Sequence, residues 1–560
     1  MDDEVEKVFL DELAALDRFR ISYTGAYPNT PLSREDPDVR RLLEGLAMFT
    51  ARTRVATARA LHRNVLRMFR QHFSHMLGPV PAMGMLSAKP SARFVDPAVL
   101  PSGSEVMLVE PGIKGADDRV FRFRTIGELR VLPLELHSVV PLRMPDRSLR
   151  LVLQFRFTTR HAMMMDVGDL HLHINHLDDL ASSLMVAYAL EKNLKSAGVV
   201  FGQTVREDTV GTPCRVSFGA LPEARDVLDR ASYPLRDVRM ALRFPRQHLY
   251  LNIHGIKLPG AVDRFAVYLD LGTTFPTDLR PNHDGFELFA VPIVNERIEM
   301  ANPIEHDGTK ERHPVLHPDI GAKFVASDIF GVYRMTDQGL DPIEPAVVSA
   351  GAPGGGSESR PTYDVTYEGQ GARRNAFVTL DVPGAFDSPV NVAVEAIWYQ
   401  PSVDTVRMDD VRVALADRHL AGVEWSCSGA LMPHGESSIE ESDQDLLELL
   451  SIKNHRVLDL EHIRCLLRAV GAAEGSAYEK FTNAMKNVSV DRKPAAKSST
   501  GFKYVYNIEF SELGPTEIPK LEVYCRRLFD LLAAWSTEEV IELVGRVVGG
   551  RATVRVEGTS

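Results

Sequence analysis

Apolar side chains recur at helical spacing from the start of the chain. Phe9, Leu10, Leu13, Leu16 and Phe19 predict an amphipathic helix over residues 5–20. Pro28 and Pro31 mark a loop. Ser33 to Asp36 followed by Pro37 is then a helix start signal, because a capping acid satisfies free amides and proline suits the first turn. Val39, Leu42, Leu43 and Leu46 open a second apolar stripe. Leu61, Val65, Met68 and Met76 extend it until Gly78-Pro79 and Pro81. The pattern allows one long helix or a break near Thr50 to Thr57. Arg41, Arg52, Arg59, Arg63 and Arg70, at offsets of 11, 7, 4 and 7 residues, fall on one narrow face at about 100° per residue, largely opposite the apolar stripe. Such a stripe is either a solvated face or a docking face for an acidic helix, since arginine forms forked pairs with carboxylates.

From about residue 83 the period changes to two. Phe121 to Arg124 alternates, as does Leu151 to Phe157, which predicts half-buried strands. A helix is predicted from Leu177 to Leu194, with Leu180, Leu184 and Ala187 in register. Further strands are expected at 248–253, 266–271, 286–291, 376–380 and 392–399, separated by turns rich in Gly, Pro and Asp. Gly351 to Arg360 is composed like a loop, and Gly435 to Asp445 is an acidic boundary. Helices follow at 446–450, 460–470 and 519–535. The fold class expected is α+β: an N-terminal helical segment, a large β-rich middle of antiparallel, sandwich-like sheets, and an α+β end. The expected domains are 1–82, 83–200 with a closing helix, 201–350, 361–435 and 446–560.

Composition narrows the chemistry. The 560 residues carry a formal net charge of −12, which disfavours bulk nucleic-acid binding. The acidic start Met1-Asp2-Asp3-Glu4 is unlike a secretory signal, and no apolar run approaches a membrane span, so a cytoplasmic protein without direct membrane insertion is expected. Cys214, Cys427, Cys465 and Cys525 are scattered, as free thiols are. His171, His173 and His176, with His161, Asp169 or Asp178 nearby, are the best metal candidates. They match no zinc spacing, and they also fit the polar face of an amphipathic strand. His306, His313 and His317 form a second group, but Pro314 keeps them off an undistorted helix. Gly354 to Gly356 lacks the lysine of a phosphate loop, and Ser426 to Gly429 lacks the first glycine of a nucleophile elbow. The expectation is no catalytic residue, no cofactor and no metal; the competing class is a metal-dependent enzyme using the His171 cluster.

Several segments, in order along the chain, resemble the TssF (ImpG, VasA) family of type VI secretion baseplate subunits. Phe9 to Leu16 is similar to the family's opening helix, and Asp36 to Ala47 (DPDVRRLLEGLA) to its "DPHVERLLEGFA" run. Leu77 to Met83 is similar to its "L-x-P-x-P-S-M" exit. Phe121 to Thr125 with Leu132 to Glu135, Tyr233 to Leu235 with Phe244-Pro245, Phe286 to Asn295, and Leu450 to His455 resemble later family motifs. Trp398 to Pro401, and Lys493-Pro494 with Thr500-Gly501, depart from the family pattern. The resemblance implies a baseplate wedge scaffold rather than an enzyme. Its implied partners are a TssG-like subunit shared by two copies of this chain, TssK through TssG, and TssE and the VgrG spike in the assembled baseplate, which docks at the inner-membrane complex. A wedge protein of another contractile phage-tail-like particle is the alternative. The partner-binding residues expected are Val39, Leu42, Leu43 and Leu46 with Arg41, Arg52, Arg59, Arg63 and Arg70.

Overall fold

The computed structural model describes residues 3–29, 32–33, 36–112, 117–159, 166–221, 234–276, 278–346, 360–369, 373–437, 439–472, 476–494, 502–536, 540–549 and 553–557. His161, most of the Gly351 to Arg360 loop, Tyr233 and Thr500-Gly501 lie outside them. Two compact units form: Met1–Ser74 with Ile439–Lys453, and His75–Ser438 with Asn454–Ser560.

The first unit is helical. Helix α1 spans Asp3–Ala26 and α2 spans Pro37–Phe73. Asp36 caps α2 by accepting the Asp38 N–H at 2.9 Å, with Pro37 in the first turn. The helix runs unbroken through its threonines. Thr53 Oγ1 donates back to the Phe49 carbonyl at 2.9 Å, so its hydroxyl is satisfied within the helix and does not break it. A third helix, Asp443–Ile452, joins this unit from far along the chain; it is capped by Ser442 and buries Leu446, Leu449 and Ile452.

The second unit carries the antiparallel sheets. In a six-stranded sheet Met83–Pro90 lies between Ala290–Val294 and Val423–Met432, with Arg119–Thr125, Glu105–Glu110 and Arg412–Leu415 beyond. A five-stranded sheet places Leu149–Phe157 between Leu134–Arg143 and Arg264–Leu271. Leu151, Leu153, Phe155 and Phe157 are all buried in the largest core cluster, as their alternation predicts. The strand expected over 286–291 divides into Phe286–Leu288 and Ala290–Val294, because Phe289 sits at φ 61° and turns the chain between two different sheets. The helix expected from Leu177 starts later, at Leu180–Asn193, capped by Asp179. Leu177 and Asp178 have left-handed φ of 56° and 51°, which no α-helix accepts.

Residues from about 297 to 399 form a β-sandwich. One sheet holds Arg297–Met300, Val390–Tyr399, Val325–Thr336 and Gly339–Pro342; the other holds Arg312–Pro314, Asn375–Asp381, Thr362–Glu368 and Glu344–Pro345. Their inner faces share one core around Val332, Val378, Leu380, Val394 and Trp398. The C-terminal part mixes both structures: Ile518–Trp535 connects the parallel strands Phe502–Phe510 and Val540–Val547 in a four-stranded sheet. The fold is thus α+β, with helices first, antiparallel sheets in the middle and a mixed end.

Two enclosed histidines make this unit acid-sensitive. Burial and then Arg239 and Arg236 push His75 down to about 4; burial and then Arg527 push His248 down to about 3. The neutral forms are the folded forms, whereas the unfolded chain takes up protons near pH 6.5. The stability they contribute is therefore full above pH 6.5 and is lost as pH falls through that value toward 4 and 3, at up to about 1.4 kcal/mol per pH unit for each group. His248→Leu is expected to flatten the fall of melting temperature between pH 6.5 and 5, measured by differential scanning fluorimetry; an unchanged slope contradicts the assignment.

Candidate docking surface of the helical unit

The geometry of the first unit follows from two faces of α2. Ala47, Ala51, Val55, Val65, Phe69 and Phe73 are buried. The two alanines leave room for close helix approach, and the Phe69 and Phe73 rings meet tilted, with centres 5.2 Å apart. Ion pairs fix the direction of α1: Glu4 meets Arg59 at 2.6 Å and Glu12 meets Arg54 at 2.9 Å, so the helices run antiparallel. The helix Asp443–Ile452 runs parallel to the second half of α2, with Asp443 at 2.6 Å from His62 and Lys453 at 2.7 Å from His72. Partial burial and the Lys453 ammonium lower the His72 pKa, which keeps its Nδ1 an acceptor.

Among the described residues the other face of α2 has no such cover. Leu42, Leu46, Phe49, Leu61 and Met68 are exposed, Leu42 at 72% and Phe49 at 70%. At about 100° per residue their centre lies roughly 150° around the helix from the buried face. The helix therefore carries two apolar faces, one closed within the unit and one open. Leu10 and Phe19 of α1 are exposed as well. A groove of about 420 Å³ runs between the helices, with Leu10, Leu13, Val39 and Leu43 in its walls. Its rim is tied by the pairs Asp17–Arg20 and Arg40–Glu44, each at 2.8 Å. An exposed run of large apolar side chains on one helix marks an interaction surface.

The residues expected from the sequence divide accordingly. Leu42 and Leu46 stand on the open face, while Val39 and Leu43 are half-buried in the groove. The arginine stripe is not uniform. Arg59 is engaged by Glu4, Arg70 lies 3.8 Å from Glu440, and Arg41 lies 3.8 Å from Asp38. Arg52 and Arg63 make no ion pair among the described residues. Phe49 escaped the sequence reading, although it lies three residues after Leu46 on the same face.

The histidine groups are placed differently. The described residues do not bring His171, His173 and His176 to one point. His171 Nδ1 lies 2.8 Å from Asn252 Oδ1, and the buried His173 donates Nε2–H to the Arg246 carbonyl at 3.2 Å. The other His173 nitrogen faces Glu287 at 3.7 Å. Burial alone would raise the Glu287 pKa, but His173, Ser428 and Asn175 hold it at about 2. His306 and His313 meet at 3.0 Å, whereas His317 donates to Glu299 at 3.0 Å. These are interior polar networks. All four cysteines are free.

A helical unit with an unclosed apolar face, attached to a chain of sheets, defines a scaffold protein made to be assembled with others. Residues 1–368 match the family described as type VI secretion system, TssF. The chain belongs to that family, and as a TssF protein it is a structural component of the type VI secretion baseplate. It is similar in fold to a chain in a cryo-electron microscopy structure of the type VI secretion TssK-TssF-TssG baseplate subcomplex, with a TM-score of 0.73 and 16% identity over 93% of this chain and 98% of that one. A chain in a structure of the type VI secretion baseplate complex matches with a TM-score of 0.58 and 14% identity, over 99% and 98% respectively. A search of curated protein sequences finds no match. No described helix is long and apolar enough to cross a membrane.

Proposed function

We propose that this chain acts as a baseplate wedge scaffold whose helical unit enters a helical bundle shared with other subunits. Two copies of the chain join one TssG-like subunit, and TssK attaches through that subunit. TssE and the VgrG spike are met in the completed baseplate, which sits in the cytoplasm against the inner-membrane complex. The docking residues are Leu42 and Leu46 on the open face of α2, with Val39 and Leu43 in the groove beside them and Phe49 extending the face. Arg41, Arg52, Arg59, Arg63 and Arg70 flank it, with Arg52 and Arg63 most available to carboxylates of a partner. The observation that carries this reading is the second apolar face of α2, because covering an exposed apolar helix face of this size with a complementary helix removes it from water and is favourable. Coexpression with a TssG-like subunit, followed by mass photometry, is expected to give a particle of two copies of this chain and one partner. A chain that stays monomeric in the presence of that partner contradicts the reading.

A further inference from the structure

The β-sandwich has an open end. There the segment after Arg312–Pro314, the starts of Val325–Thr336 and Asn375–Asp381, and the end of Val390–Tyr399 leave a cavity of about 340 Å³. Concave clefts lined by apolar groups with a few placed polar ones are where ligands bind. Half-buried Phe324 gives this cavity an apolar wall in front of the buried Trp398, and Leu316 stands at its edge, more than half exposed. Ile320, at the tip of the same loop, is 82% exposed.

The polar lining is one-sided. Among the described residues it contains Lys323, Arg374 and His317 but no Asp or Glu, in a chain of net charge −12. His317 is fully engaged: Nε2–H donates to Glu299 at 3.0 Å and Nδ1 accepts the Asp319 N–H at 3.0 Å. Arg374 is buried, its guanidinium 4.3 Å from the Tyr367 ring centre. Asp319, the acid of the loop, is bound by Arg122 at 3.4 Å and by the Ala322 N–H at 3.2 Å. Lys323 is left exposed, and no described carboxylate pairs with it.

The backbone singles out the same residue. Lys323 has φ 52°, a left-handed conformation that suits glycine and costs a side-chain-bearing residue about 1 kcal/mol or more. The loop does contain a glycine, Gly321, but not at that position. The strained position thus holds an exposed lysine that lines a cavity with no Asp or Glu among its described lining residues.

We propose that this cavity takes up an acidic segment of a partner protein, with a bulky apolar side chain entering between Phe324 and Leu316 and an adjacent carboxylate paired with Lys323. Lys323 supplies the exposed positive charge of the lining, and the volume accommodates about one large side chain. The site lies in the sandwich, so its test is independent of the helical docking surface.

The test is fluorescence polarisation on the full chain with a fluorescein-labelled peptide Gly-Ser-Leu-Phe-Asp-Glu-Ser-Gly. Two control probes replace Asp-Glu by Lys-Lys, or Leu-Phe by Ala-Ala. The acidic apolar probe is expected to bind measurably below roughly 1 mM and more tightly than either control. Lys323→Glu is expected to weaken it about tenfold and Lys323→Gly about threefold, while Lys323→Arg stays within about twofold. Lys323→Gly relieves the backbone strain, so its loss of binding is not a loss of folding. The proposal is overturned by absence of binding at roughly 1 mM, by equal binding of either control probe, or by undiminished binding to the Lys323→Glu variant.

Discussion

Leu42→Asp, Leu46→Asp and Phe49→Asp combined are expected to abolish co-purification with the TssG-like subunit while the free chain still folds. All three side chains are exposed in the free chain, so their loss removes no core contact. The folding cost is helix propensity alone, about 0.5 kcal/mol per substitution. At an interface each apolar side chain of this size contributes about 1.5–3 kcal/mol when covered. Three buried aspartates without partners reverse that contribution, so affinity falls by about a hundredfold or more. Circular dichroism on the free variant and pull-down with the partner separate the two effects. Retained pull-down shows that the partner binds elsewhere. The control is Ala51→Leu on the closed face. There an added side chain has no room, and a loss of about 1–3 kcal/mol in the stability of the helical unit is expected.

The second large effect belongs to the sandwich. Trp398 is buried at 1% exposure, donates Nε1–H to the Glu299 carbonyl at 3.0 Å, and meets His317 edge-on at 4.9 Å. Trp398→Ala removes that volume from the shared core and leaves the Glu299 carbonyl without its donor. A loss of about 3–5 kcal/mol is expected. Limited proteolysis checks it: cleavage between residues 297 and 399 is expected at protease concentrations that leave the native chain intact. Trp398→Phe keeps most of the apolar volume, so its loss is smaller. If alanine at this position does not increase cleavage there, Trp398 is not the centre of that core.

The parts legible in the sequence were those set by local spacing. Leu151 to Phe157 alternates because one face of that strand packs in the core, and the start of α2 is written in Asp36 and Pro37. The open face was legible at Leu42 and Leu46. What spacing does not carry is the identity of neighbours. The apolar positions of α2 were read as one stripe, yet the helix closes one face with Ala47, Ala51, Val55, Phe69 and Phe73 and leaves Phe49 and Leu61 outside. Small alanines give a weak hydrophobic signal, although they allow the tightest packing. Arg59 could be assigned only once α1 had placed Glu4 beside it. The sandwich cavity was illegible for the same reason, since its walls come from four separate segments between residues 315 and 402.

The six-stranded sheet has a consequence for synthesis. Met83–Pro90 pairs with Ala290–Val294 on one edge and with Val423–Met432 on the other. A ribosome making this chain releases α1 and α2 long before either strand emerges, but the helix Asp443–Ile452 that completes their unit comes later still. A message cut short before codon 423 yields a polypeptide with the Met83 strand unzipped along one side, and quality control must remove it before it sticks to its neighbours.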